Sequence, residues 1–270
     1  MMAQGTPPIL HAPVKCAVYT GSLMPRAWIE SRRASPDPDV AQVAALIADP
    51  GRTAMLIALL DGQMLPASEL AYRAGIAPNA ASAHLGKLVA AGLLAMEPAG
   101  RQRLYRLATG DVGRAIEALA TIARPAKIAA LQQSRAAQQL RLARSCYDHL
   151  AGALGVGITD ALIGRNVIEP VGGHDYRVTA AGMVHLRELG IEVDALRHQK
   201  RHLARQCLDW TERRPHVAGA LGAAVRDLLL ANGWIGRVKG NRSIRITADG
   251  QAALKQHFGL DLVPGPMAAR

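Results

Sequence analysis

The 270-residue chain carries 32 Lys+Arg against 21 Asp+Glu, a formal charge of +11 that favours a polyanionic partner. Half of its residues are hydrophobic, yet no run approaches the ~20 consecutive apolar residues of a membrane span; the longest candidates, such as ALGVGITDALI, are broken by Asp160 and by glycines. Three cysteines in a chain long enough for two cores do not make a disulfide framework, so a cytoplasmic location and no membrane partner are the expectation.

Residues 1–38 scatter Pro, Gly and Ser without a helical period, carry Arg32-Arg33, and lack the continuous apolar core of a secretion signal. They read as disordered, and Met24 is an alternative start that would leave Cys16 outside the protein. Order is expected from Asp39, whose side chain suits the cap of a helix from Val40 to Ala48. A second helix, introduced by Asp49-Pro50, runs to about Leu60 with Met55, Leu56, Leu59 and Leu60 turned inward.

From Glu69 to Leu94 the apolar residues fall as Leu70 and Ala74, then Ala81, Leu85 and Leu88, the spacing that buries one stripe of each of two short helices. Gly75-Ile76-Ala77 makes the corner between them, and Pro78 suits the first turn of the second helix. Asn79, Ser82, Ala83, Gly86 and Lys87 stay off the apolar stripe, a small polar surface able to enter a major groove. EPAGRQRLYRL then pairs two alternating runs around Pro98-Ala99-Gly100, a β-hairpin with basic residues Arg101, Arg103 and Arg106.

Helix, turn, helix and basic wing in this order resemble the winged helix of the arsenic-repressor (ArsR) family. The resemblance rests on the ELA-x-x-AGI corner, on SAHLGKLVAAGLL in the place of the family's S-x-HL-x-x-L-x-x-AGL pattern, and on LYRLA at the end of the wing. It covers roughly residues 39–119 and implies a sequence-specific DNA-binding regulator, more often a repressor than an activator. It places Asn79, Ser82, His84 and Lys87 on the groove-facing helix, with Arg101 and Arg103 reaching phosphate or the minor groove. It also implies a homodimer formed by the flanking helices that begin at Val40 and Asp111, and a two-fold pair would read two half-sites of an operator. The family's metal-binding positions read ELAYRAG and DVGRAIEALATIARPA here, without cysteine or histidine, so any sensing falls to the C-terminal half.

Thr109 or Asp111 caps the next expected helix, with Val112, Ile116, Leu119, Ile122 and Ala123 at helical spacing; Pro125 ends or kinks it and Ile128 to Leu150 resumes the pattern. Beyond it the chain aligns with itself. His149 falls on His216 and Thr179 on Thr247, and Cys146 falls on Cys207 once six residues within LDWTERRP are treated as an insertion. Each copy reads as a helix carrying the cysteine, a helix starting near HLAG or HVAG, a hairpin turning at Gly172-Gly173 or Gly240-Asn241, and a closing helix. The expected fold is therefore mainly α with small β-hairpin wings (α+β): a winged helix at 39–124, winged-helix-like repeats at 125–192 and 193–261 forming one regulatory domain, and a flexible tail at 262–270.

The duplication brings Cys146, His149, Cys207 and His216 into question as one effector or thiol site. Two thiolates and two imidazoles suit a thiophilic metal or metalloid, a Cys/His-ligated haem, or a reversible disulfide; cysteines that simply pack are the alternative, and the sequence names no cofactor. Cys-x2-His puts both side chains on one helical face, whereas Cys-x8-His in the second copy does not. His198 and His202 stand four apart among basic residues that repel a cation, which favours a solvated face. Trp210 and Trp234 fall at or near the expected cleft, where they would stack on an aromatic effector or pack in the core. His185 reads as structural. A small organic effector, an architectural DNA binder without sequence preference, and a cysteine-dependent enzyme remain as other readings, the last without a phosphate-binding loop, an HExxH motif or a plausible carboxylate pair.

Overall fold

The computed structural model describes residues 38–124 and 131–262. The chain divides into two units, Met1–Ala41 and Gln42–Arg270. Of the first, only 38–41 are described, so the expectation for 1–38 lies almost wholly outside the described residues, as does that for the tail beyond 262.

Helix α1 (Val40–Ile47) leads to α2 (Pro50–Ala58), whose cap is Asp49: its carboxylate accepts the Arg52 amide at 2.9 Å, and Pro50 occupies the first turn. Leu59 and Leu60 lie beyond the end of α2 but remain buried. After β1 (Leu65–Pro66), α3 (Ala67–Ala74) stops at Gly75, which takes a left-handed φ of 64°, and α4 (Pro78–Ala90) follows. The wing is β2 (Leu94–Ala99) and β3 (Gln102–Leu107), with β3 central in a sheet ordered β1-β3-β2. Helix α5 (Gly110–Ile122) closes the winged helix over a core that includes Met55, Leu56, Leu70, Leu85, Leu88 and Leu107.

The second half has more strand than expected. Helix α6 (Leu131–Leu142) stops well short of Leu150, and the chain turns through the hairpin β4 (Arg144–Cys146) and β5 (His149–Ala151). Then come α7 (Gly152–Gly164), β6 (Ile168–Val171), β7 (Asp175–Val178), α8 (Ala180–Glu188) and the short α9 (Val193–Arg197). A similar order follows: β8 (Arg205–Leu208), β9 (Pro215–Ala218), α10 (Gly219–Ala231), β10 (Ile235–Arg237), β11 (Ile244–Ile246) and α11 (Ala248–Phe258). Cys146 and Cys207 thus lie on strands, where helices were expected, and β6-β7-β8-β9 form one antiparallel sheet that makes the fold mixed α/β. His198 caps the end of α9 and His202 lies past it, so the two do not share a helical face.

Leu154, Ile158 and Leu162 of α7 and Leu221, Val225 and Leu229 of α10 fall at four-residue spacing and meet in one buried core. The two hairpins are tied by Arg144 and Asp209, both fully buried, whose charges meet at 2.9 Å. Asp209 also accepts from the amides of Gly152, Thr211 and Glu212 and from the Thr211 hydroxyl, so the carboxylate is spent on five donors drawn from both hairpins and their flanks. Burial alone would raise the pKa of Asp209, but Arg144 and these donors hold it well below the usual carboxylate range. Among the described residues no single helix is long and apolar enough to cross a membrane.

Backbone contacts fix the closing helices. Thr179 and Thr247 cap α8 and α11 by accepting from Gly182 and Gly250, and a Cβ at either glycine would stand 2.0 Å from the Val167 oxygen or 1.8 Å from the Trp234 oxygen. Gly250→Ala is therefore expected to cost about 1–3 kcal/mol in urea unfolding. Gly86→Ala, in open space on α4, should gain roughly 0.5–1 kcal/mol. Asp209→Asn should cost about 3–5 kcal/mol, because it leaves the Arg144 charge buried without its partner. Glu169→Gln, in an exposed pair with Arg177, should leave the unfolding midpoint unchanged.

Candidate DNA-binding surface and Cys/His cluster

Asn79, Ser82 and Lys87 are exposed on α4, with the Ser82 hydroxyl donating to the Pro78 carbonyl at 3.1 Å. His84 departs from the expectation of a groove-facing residue. Its Nδ1 lies 3.3 Å from Arg52 and its Nε2 3.8 Å from Asp49, because the side chain leaves α4 on the side facing the start of α2. On the wing, Glu97 holds Arg106 at 3.0 Å. Arg101 and Arg103 are exposed and make no ion pair among the described residues, which leaves both guanidinium groups available to an anion.

The four Cys/His side chains of the second half come together. Strand pairing sets Cys146 opposite His149 and Cys207 opposite His216. The six-residue difference in spacing is absorbed in the longer β8-β9 loop, which is why Cys-x2-His and Cys-x8-His reach the same arrangement. The two sulfurs are 3.8 Å apart and the two Nε2 atoms 3.1 Å apart; one ligand atom from each of the four residues lies within 4.8 Å of the others. Helices α7 and α10 press on this cluster crosswise: a Cβ at Gly155 would lie 3.7 Å from the His216 Cβ, and one at Gly222 3.1 Å from that of His149.

Two carboxylates stand behind the imidazoles. Asp148 lies 3.1 Å from His149 Nδ1 and is itself held by Arg201 at 2.7 Å; Asp209 lies 3.5 Å from His216 Nδ1. Burial lowers the His149 pKa, but Asp148 and Cys207 outweigh it and bring the group up to about 9. Cys146 is pushed well above the ordinary thiol value by its hydrogen bond to Cys207 and by burial. Cys207 moves the other way, stabilised as thiolate by Cys146 and by both imidazoles. Burial raises the Asp148 pKa, but His149 and Arg201 outweigh it and lower the group.

The sequence reading missed Asp148 and Asp209. Their signal is a Cys-x-Asp triplet in both copies, Cys146-Tyr147-Asp148 and Cys207-Leu208-Asp209. It also missed Tyr147, which has a φ of 58° at the turn of the first hairpin and packs on the winged-helix core. The Tyr147 amide donates to the Leu60 carbonyl at 2.5 Å, and its ring lies where Cβ atoms at Gly110 and Gly113 would crowd it at 3.2–3.3 Å. Arg242 bridges the same two regions by pairing with Glu117 of α5. A cavity of about 650 Å³ reaches the cluster, lined by α5 on one side and by Cys146, His149, Arg201 and Cys207 on the other. Neither Trp210 nor Trp234 lines it. The Trp210 ring supports the Arg144 guanidinium at 4.6 Å, and Trp234 stacks on His257. His185 sits on α8 with its Nε2 buried.

Residues 47–97 match the family model described as a helix-turn-helix domain. The HTH-type transcriptional regulator YdfF of Bacillus subtilis (strain 168) is 42% identical over 226 residues, which span 84% of this chain and 100% of that protein. The HTH-type transcriptional regulator CmtR of Mycobacterium tuberculosis is 36% identical over 83 residues, 31% of this chain and 70% of CmtR. Among solved structures, the transcriptional repressor BigR from Xylella fastidiosa is 26% identical, covering 38% of this chain and all of BigR at a TM-score of 0.31. With a relative matched over its entire length, the chain belongs to the HTH-type transcriptional regulators that include YdfF, and is an ArsR-like winged helix-turn-helix protein that binds DNA.

Proposed function

We propose that the protein is a dimeric, sequence-specific repressor of the cytoplasm, released when its C-terminal half senses an effector or a thiol, redox or metal signal. The observation that carries the DNA-binding half of this reading is the surface of α4 and the wing. Asn79, Ser82 and Lys87 are solvent-facing on one helix, and Arg101 and Arg103 stand free beside it. Dimerisation is supported by apolar side chains left in solvent on the two flanking helices: Val43 of α1 is 37% exposed, and Leu119 and Ile122 of α5 are 43% and 80% exposed.

Residues 39–124 serve as the DNA-binding domain, and 125–192 and 193–261 as two copies of one duplicated unit that share a core. The matched strand registers, the Thr caps and the positive φ of Gly152 and Gly219 support the duplication. The cysteines take part in sensing, and no catalytic step is assigned to them.

The purified protein should bind its own upstream DNA over random DNA by a factor of at least about 10³ at ~0.15 M salt in fluorescence anisotropy. Equal affinity for both would replace the regulator with an architectural DNA binder. Arg101→Ala should weaken binding to all sequences and reduce the slope of log affinity against log salt by about 1, whereas Asn79→Ala should cost roughly 1–3 kcal/mol on the preferred sequence and relax the preference at one position. An unchanged slope for Arg101→Ala removes the wing from the interface.

A further inference from the structure

We infer that Cys146, His149, Cys207 and His216 form a tetrahedral site for a thiophilic divalent cation of the zinc class, whose occupancy is transmitted to the DNA-binding helices through Tyr147. The transmission rests on the regulator reading above; the metal site does not.

The geometry is that of a closed four-ligand site. Zn–S bonds of about 2.3 Å at tetrahedral angles separate two sulfurs by about 3.8 Å, and Zn–N bonds of about 2.0–2.1 Å separate two nitrogens by about 3.3 Å. The pairs here stand 3.8 Å and 3.1 Å apart. The set is compact as well as complete, with all four ligand atoms inside 4.8 Å.

The surroundings select the same chemistry. Asp148 stands 3.1 Å from Nδ1 of His149 and holds that ring with Nε2 turned inward, while Nδ1 of His216 is buried without a hydrogen-bond partner, 3.5 Å from Asp209. Two lone pairs 3.1 Å apart repel unless a proton or a cation lies between them. Two thiolates and two neutral imidazoles around a divalent ion carry no net charge, which suits a buried position, and binding releases to solvent the protons those four groups hold. Three cations near the cluster are paired: Arg201 with Asp148, Arg144 with Asp209 and Arg242 with Glu117. The cavity beside α5 reaches the cluster between Asp111, Glu117 and Asp148 and the basic Arg114, Lys200 and Arg205.

Cys146 and His149 flank the hairpin turn whose one tyrosine enters the winged-helix core. Fixing both flanking residues to one ion fixes the position of Tyr147, and with it the contacts to Leu60, Gly110 and Gly113 behind the DNA-binding helices.

The test uses the full-length protein, reduced, stripped of metal and titrated with Co²⁺ under anaerobic conditions. One equivalent per chain should give sulfur-to-cobalt charge-transfer absorption and the visible bands of a tetrahedral ion, and Zn²⁺ should displace it. Asp148→Asn, at a partly exposed position that leaves the fold intact, should weaken Co²⁺ binding about 10–100-fold. In wild type, bound metal should weaken binding to the upstream DNA by about 5–150-fold, and Tyr147→Ala should retain the cobalt spectrum but lose this response. A fully reduced protein, with its three thiols titratable, that selects its upstream DNA but takes up neither ion overturns the site and leaves the regulator standing. Metal uptake without DNA selection overturns the regulator and leaves the site. Equal DNA affinity of wild type with and without metal overturns the transmission.

Discussion

The register of two short antiparallel hairpins decides what the C-terminal half can do. Cys146 opposite His149 and Cys207 opposite His216 present four soft donors to one point, and a slip of a single residue in either hairpin would turn its pair to the opposite face. The register is over-determined. Gly152 and Gly219, at φ of 76° and 82°, turn each hairpin into a helix, and their Cα atoms pass so close to the Arg141 and His202 carbonyls that a Cβ would stand 2.5–2.7 Å from them. Each helix then presses on the histidine strand of the other hairpin, so neither hairpin can shift without moving the other.

The buried Arg144–Asp209 pair belongs to the same constraint. Removing two charges from water is costly, and such a pair adds little net stability compared with apolar side chains of the same size. Its value lies in direction. Arg144 requires an anion at one place, and the segment that supplies it there also carries Cys207 two residues earlier and brings the Asp209 carboxylate near His216. A polar interaction that contributes little to stability thus selects one arrangement of the two hairpins over others of similar apolar burial.

The winged helix was legible because its determinants are local. The apolar stripes, the glycine corner and the proline at the start of α4 each act within a few residues, and the expected elements are found within about two residues of their places. The cluster was legible only in part. Internal alignment paired the right four residues, but Cys-x2-His is compatible both with one helical face and with a hairpin turn, and helical periodicity upstream favoured the wrong one. The choice is made by Gly152, which ends the strand, and by pairing partners that are not local. Asp148 and Asp209 escaped notice because nothing in an isolated carboxylate says that it will face a ring nitrogen; the repeated Cys-x-Asp triplet becomes meaningful once the strands are paired. His84 was legible both ways: its position in the helix suits the groove, but it lies next to Leu85, and the cap at Asp49 offers it a partner from another helix.

Many metal-sensing members of the resembled family carry their ligands within the winged helix. Those stretches hold neither cysteine nor histidine in this chain, so a metal signal received in the second half must cross to the first. Tyr147 is suited to that crossing by position and by conformation. A tyrosine with a left-handed backbone is held there at some cost, and the hydrogen bond to Leu60 together with the two glycines of α5 that admit its ring offset that cost. The same residue therefore belongs to two structures at once: its neighbours in sequence are ligand donors, and its neighbours in space are the core of the DNA-binding domain. The turn between Cys146 and His149 is also the contact with the Leu60 carbonyl and with α5, the path by which a change in the spacing of the four donors would reach the winged helix.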